Sequence, residues 1–140
     1  MHGIIFFYIQ KFADEATSGK TTWLQLRETV TASDSRYLPN EVYPDEDAVE
    51  LLQKIADTCG ETLPELIERF GEFLAPHLIK VASQNIDPTW RTLDLIENTE
   101  DIIHTMVRSA KPGAEPPVLE TVRHSPNELH LVYSSGRKLC

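Results

Sequence analysis

Two sets of residues in this 140-residue chain have types and spacing that could do chemistry. The first is Tyr133, Ser135 and Arg137, in the run "ELHLVYSSGRKLC". The run alternates in character as a strand does, and alternate strand residues point to one face. A phenol, a hydroxyl and a guanidinium therefore stand in a row below Leu129 and Leu131, a line of donors for an anion. Taken alone, the row also fits a strand face that salt-bridges helix carboxylates, and that reading carries the greater weight. The second is His104, in "DIIHTMVR". On a helical wheel it sits at the edge of an apolar stripe of Leu93, Ile96, Ile103 and Val107, with Glu97, Glu100, Asp101 and Arg108 on its other side. Imidazole is a common metal ligand, yet by itself His104 reads first as an ordinary boundary histidine. The remaining histidines, His2, His77, His124 and His130, make no His-x-x-x-His or Cys-His metal pair. There is no Gly-rich phosphate loop, no Gly-x-Ser-x-Gly elbow and no pairing of nucleophile with base, so no enzymatic activity is expected.

Charge limits the partners. The chain carries 22 acids against 13 bases, a net charge of −9. General nucleic-acid binding needs a basic surface, and an acidic protein is repelled by anionic membranes. The C-terminal stretch departs from this balance, since Arg123, Arg137 and Lys138 face Glu128 alone between residues 121 and 140. The donor row thus lies in a locally basic corner. Cys59 and Cys140 are far apart and form neither metal spacing nor a disulfide framework, so a reducing cytoplasm is the expected compartment. The apolar run "IIFFYI" is too short to span a bilayer. A chain of this length is expected to be a single domain, 1–140, able to bury about 68–70% of its unfolded surface.

The elements that must position these residues are helices first and a hairpin last. Residues 3–16 read as a buried helix, and 21–30 as a second capped by Thr21 or Thr22. Asp45 is the expected cap of a helix over 46–59 that ends at Gly60. Residues 62–82 open on a Thr62/Glu65 capping box, and Pro76 predicts a kink or break. A helix over 87–108, with Asp87 as cap and Pro88 in its first turn, carries His104. A proline-stiffened linker, "SAKPGAEPP", leads to a hairpin over 118–135. This order is the α+β pattern. A lone two-stranded hairpin is marginal, so it must lie on helices or belong to a larger sheet.

Together the segments resemble the haem–nitric oxide/oxygen binding (H-NOX) domain, the sensor module of soluble guanylate cyclase and its bacterial relatives. "MHGII" is similar to the family's Met-x-Gly start, "VYPDEDAVELL" to its Tyr-x-Asp-(Asp/Glu) approach to a helix, and "ELIERFGEFL" to its Phe-Gly helix. "DIIH" resembles its haem-ligand segment, "PGAEPP" its proline-rich link and "LHLVYSSGR" its Tyr-x-Ser-x-Arg motif. The resemblance implies that His104 ligates the iron of haem b and that Tyr133, Ser135 and Arg137 bind the propionates. Pro117 would pack on the porphyrin, and Ile5, Ile9, Leu74 and Leu78 would line the distal side. It further implies a sensor of nitric oxide or carbon monoxide at ferrous haem, signalling to a partner such as a histidine kinase or a cyclic-nucleotide enzyme. Departures are Thr99 where the family commonly has Asn, and Glu97 and Glu100 where Leu or Phe is usual. Family domains also continue beyond the arginine with a helix and two strands, so the C-terminal end is expected to be truncated. A haem-free interaction module built on the same helices is the alternative, favoured by the acidic helix.

Overall fold

The computed structural model describes residues 1–28, 30, 37–110 and 115–136. The chain is mostly helical and closes on a two-stranded antiparallel sheet, the α+β order expected. It divides into two compact units, Met1–His77 and Leu78–Cys140.

The first unit is a closed helical core. Helix α1, Gly3–Ala16, turns Phe6, Ile9, Phe12 and Ala13 inward. Helix α2, Trp23–Arg27, is shorter than the expected 21–30 and is capped by Thr22, whose hydroxyl accepts from Gln25 N at 3.3 Å. Helix α3, Asp45–Cys59, ends at Gly60 with φ of 75°, the left-handed conformation that favours glycine. Leu51, Leu52, Ile55 and Ala56 of α3 pack on α1 together with Leu66 and Phe70 of helix α4, Leu63–Val81. Asp45 is not the cap of α3. It is the first helical residue, and its carboxylate pairs with the Met1 ammonium at 2.6 Å, so the chain start and α3 are tied by charge. Gly3 N donates to Glu41 O and Tyr43 N to Met1 O, both at 2.8 Å, which straps the start of α1 to the segment before α3. A side chain at position 3 would collide with the Leu38 carbonyl. Helix α4 opens on the expected capping box, with Thr62 N donating to Glu65 at 2.9 Å. The helix runs through Pro76 without breaking.

The second unit contains the continuous helical stretch 92–110 and the hairpin. The stretch begins later than the expected residue 87. Asp87 instead accepts from Thr89 N at 2.8 Å and from Thr89 Oγ1 at 2.7 Å, holding a turn. Helix α5, Thr92–Asn98, then passes through a wide π segment, Thr99–His104, into α6, Thr105–Ala110. A π turn bonds i to i+5 and inserts a residue into the helical register, a device frequent at functional sites. Strand β1, Val118–Ser125, pairs with β2, Glu128–Ser134, in the register Leu119↔Tyr133, Thr121↔Leu131 and Arg123↔Leu129. Directly paired residues share a face. One face of the hairpin therefore carries Leu119, Thr121, Arg123, Leu129, Leu131 and Tyr133.

Candidate functional site

The hairpin lies along the acidic side of the helical stretch, and arginine and carboxylates hold it there. The Arg123 guanidinium reaches Asp94 at 3.3 Å and Glu97 at 3.2 Å. Its other nitrogens donate to Ser125 O at 2.7 Å and Pro126 O at 2.9 Å, which fixes the fork against its own turn. One turn further along the helix, Glu100 accepts from Leu119 N of β1 at 3.0 Å. Leu119 N–H would otherwise be an open donor on the edge of a two-stranded sheet. The strand face that salt-bridges helix carboxylates therefore exists, and Arg123 supplies it. Tyr133 does not take part.

Glu100 also holds His104. The His104 Nδ1 and Glu100 Oε2 lie 2.8 Å apart, and Arg108 pairs with Glu100 Oε1. Burial alone would raise the Glu100 pKa. The hydrogen bonds from His104, Arg108 and Leu119 N–H outweigh it and hold the carboxyl down at about 2. An ionised carboxylate only accepts, so Nδ1 is the donor, and a neutral ring held this way has its lone pair on Nε2. Among the described residues no hydrogen bond engages Nε2, and the side chain is only 14% exposed. This is the tautomer an iron ligand needs.

The apolar residues beside it stay partly open. Leu93, Ile96, Ile103 and Val107 are half-buried, Leu131 is 45% exposed and Tyr133 49%. The Tyr133 hydroxyl makes no hydrogen bond among the described residues. Pro117 is half-buried, directly before β1, and Ser135 is half-buried just past β2. A lone imidazole, an open apolar surface and a phenol with no partner among the described residues fit a flat apolar group with an anionic edge. They do not fit a bare metal ion, and no cluster of three His, Cys, Asp or Glu able to hold one occurs among the described residues. Arg137 lies outside the described residues.

Of the expected distal positions, Ile9 is fully buried in the core of the first unit, and Ile5 and Leu74 pack at that core's edge. Leu78 belongs to the second unit and is exposed. A cleft of about 290 Å³ in the first unit, lined by Phe6, Trp23, Arg27 and Tyr37 among others, contains none of the expected site residues. His124 and His130 are exposed beside the hairpin turn with rings 4.1 Å apart. Sequence reasoning missed Glu100 and Arg123 as site-building residues. The spacing of Glu100, His104 and Arg108, each four residues from the next, was a usable signal.

The sequence profile described as Haem-NO-binding matches residues 2–140. The chain belongs to the H-NOX family. A crystal structure of an H-NOX protein from S. oneidensis in the Fe(II)NO ligation state aligns with 100% of this chain and 77% of its own, at 25% identity and a TM-score of 0.87. An NMR structure of an H-NOX domain from Shewanella oneidensis in the Fe(II)CO state covers 97% of this chain and 75% of its own, at 24% identity and a TM-score of 0.83. The unliganded Fe(II) H-NOX protein from K. algicida shares the fold at 19% identity, with a TM-score of 0.72 over 97% of this chain and 74% of its own. A search among curated proteins found no match. Within this H-NOX chain, no helix of the described residues is long and apolar enough to cross a membrane.

Proposed function

We propose that residues 1–140 are one haem-binding sensor domain for nitric oxide and carbon monoxide, working in the cytoplasm without catalysis of its own. The observation that carries this reading is the His104–Glu100 pair, which engages Nδ1 and leaves Nε2 as the nitrogen that could take iron. Membership of the Haem-NO-binding family supports it, as does the 25% identical relative in its Fe(II)NO state. Bound ferrous haem b supplies an open coordination position for a diatomic gas. His104 would hold the iron. Tyr133, Ser135 and Arg137 would donate to the propionates, where each charge-assisted bond contributes about 1.5–3 kcal/mol. Pro117 would pack on the porphyrin. Ile5, Ile9, Leu74 and Leu78, the distal positions implied by the family, are apolar and offer no donor to a bound gas. Oxygen relies on such a donor more than nitric oxide or carbon monoxide does, and distal polarity is one of the protein's levers on ligand choice.

A change at His104 Nε2 would bear on the stretch 92–110, which Glu100, through Leu119, and Asp94 and Glu97, through Arg123, join to the hairpin. A partner such as a histidine kinase or a cyclic-nucleotide enzyme reads it. The acidic helix that favoured a haem-free docking module turns Asp94, Glu97 and Glu100 to Arg123, Leu119 and His104 rather than offering them to a partner. Loading the protein with haem, reducing it and adding gas tests the reading. The Soret band should shift with carbon monoxide and with nitric oxide, and no stable oxygen complex should form in air. Failure to take up haem would contradict the sensor, and a long-lived oxygen complex would contradict its selectivity.

A further inference from the structure

We propose that Glu100 is the positioning residue of the iron ligand, setting the strength of the iron–histidine bond and tying it to strand β1. The inference rests on the reading of His104 as that ligand. Glu100 Oε2 accepts from His104 Nδ1–H at 2.8 Å and from Leu119 N–H at 3.0 Å, while Oε1 accepts from Arg108. Both oxygens are engaged, so the carboxylate cannot rotate without releasing the strand, the arginine or the imidazole. The ring is thereby fixed in orientation as well as in tautomer. A carboxylate on the far nitrogen of a ligating histidine raises the ligand's basicity. The imidazole of this chain is therefore a stronger donor to iron than one bonded to a neutral group. Arg108 moderates the effect by drawing negative charge toward Oε1. Leu119 N–H competes for the same oxygen as His104. Any displacement of His104 consequently changes the hydrogen bonding of β1 without passing through the helix backbone, and the opposite also holds.

The test uses the haem-loaded ferrous protein and two substitutions of opposite sign. Glu100→Gln keeps the shape and removes the charge. It should lower the iron–histidine stretching frequency in resonance Raman spectra and speed haem loss by roughly 10–100-fold, the usual consequence of losing such a partner. Arg108→Gln leaves Glu100 in place and frees more of its charge for His104. It should raise the same frequency, and because Arg108 is 38% exposed the fold should tolerate the change. Glu100→Asp restores charge but not reach, and should fall between wild type and Glu100→Gln. A purely structural role for Glu100 would weaken haem binding in both Glu100→Gln and Arg108→Gln without moving the stretch in opposite directions. That outcome, or an unchanged frequency in Glu100→Gln, overturns the proposal and leaves the haem reading intact. A wild-type protein with no histidine-ligated haem overturns both.

Discussion

Replacing Arg123 with alanine should loosen the hairpin from its helix. The guanidinium makes two ion pairs, to Asp94 and Glu97 at 3.3 and 3.2 Å, and two bonds to the backbone carbonyls of Ser125 and Pro126. All three charged side chains are partly exposed, so each ion pair contributes roughly 0.5 kcal/mol, within the range of about 0.2–1 for such pairs. The two carbonyl bonds add about 0.5–1 kcal/mol each. The sum is about 2–3 kcal/mol. In a domain of this size each kcal/mol moves the melting temperature by roughly 3–5 °C, so Arg123→Ala should melt some 6–15 °C lower by circular dichroism. The ion-pair share is screened by salt, because the Debye length falls to about 3 Å at 1 M, and the gap should narrow by about 1 kcal/mol there. Arg123→Lys keeps the charge without the fork and should recover less than half of the loss. A double-mutant cycle of Arg123→Ala with Asp94→Asn and Glu97→Gln isolates the charge coupling. Equal melting of wild type and Arg123→Ala, or a coupling of zero in that cycle, would refute the clamp.

Three further outcomes follow from the same structure. Gly3→Ala drives a methyl group into the Leu38 carbonyl, oxygen first and carbon at 2.8 Å, and should destabilise the first unit by at least about 1–3 kcal/mol in urea melts. The Tyr37 hydroxyl titrates at about 12, raised by burial and then by the neighbouring Asp47 carboxylate. The unfolded chain loses this proton near pH 10 and the folded chain only near 12. The contribution is therefore complete below about pH 10 and is lost as pH rises to about 12, an effect of about 1–2 kcal/mol after allowance for solvent screening. Tyr37→Phe should lack that part of the alkaline fall in melting temperature. Arg137→Ala should lose haem faster than Ser135→Ala, since removing a full charge that can pair bidentately with a propionate costs more than removing one hydroxyl bond, about 1 kcal/mol. Equal dissociation rates would contradict the propionate assignment.

Much of the fold was legible because local rules and tertiary packing agree. Helix α1 has its expected bounds since its apolar residues and its burial coincide, and Gly60 ends α3 where a positive φ is required. The start of the helix that carries His104 was misread because Asp87–Pro88 satisfies two local solutions, a helix cap and a side-chain-closed turn, and Thr89 selects the turn. Asp45 was misread because a cap and a partner for a distant ammonium look alike in sequence. The π segment left no trace in the hydrophobic period, because Leu93, Ile96, Ile103 and Val107 satisfy an ordinary helical wheel. At the candidate site, His104 stands out through the family motif, whereas Glu100 and Arg123 read from sequence as charges. Their work depends on a strand register that the sequence does not state.

The central claim is that His104 Nε2 holds the haem iron, and the His104→Gly variant tests it most directly. Ferrous wild-type protein with haem should show a histidine-ligated Soret band and an iron–histidine stretch. The variant should lose both and recover them when imidazole is added. An unchanged Soret band and an unchanged stretch in His104→Gly would show that another residue holds the iron.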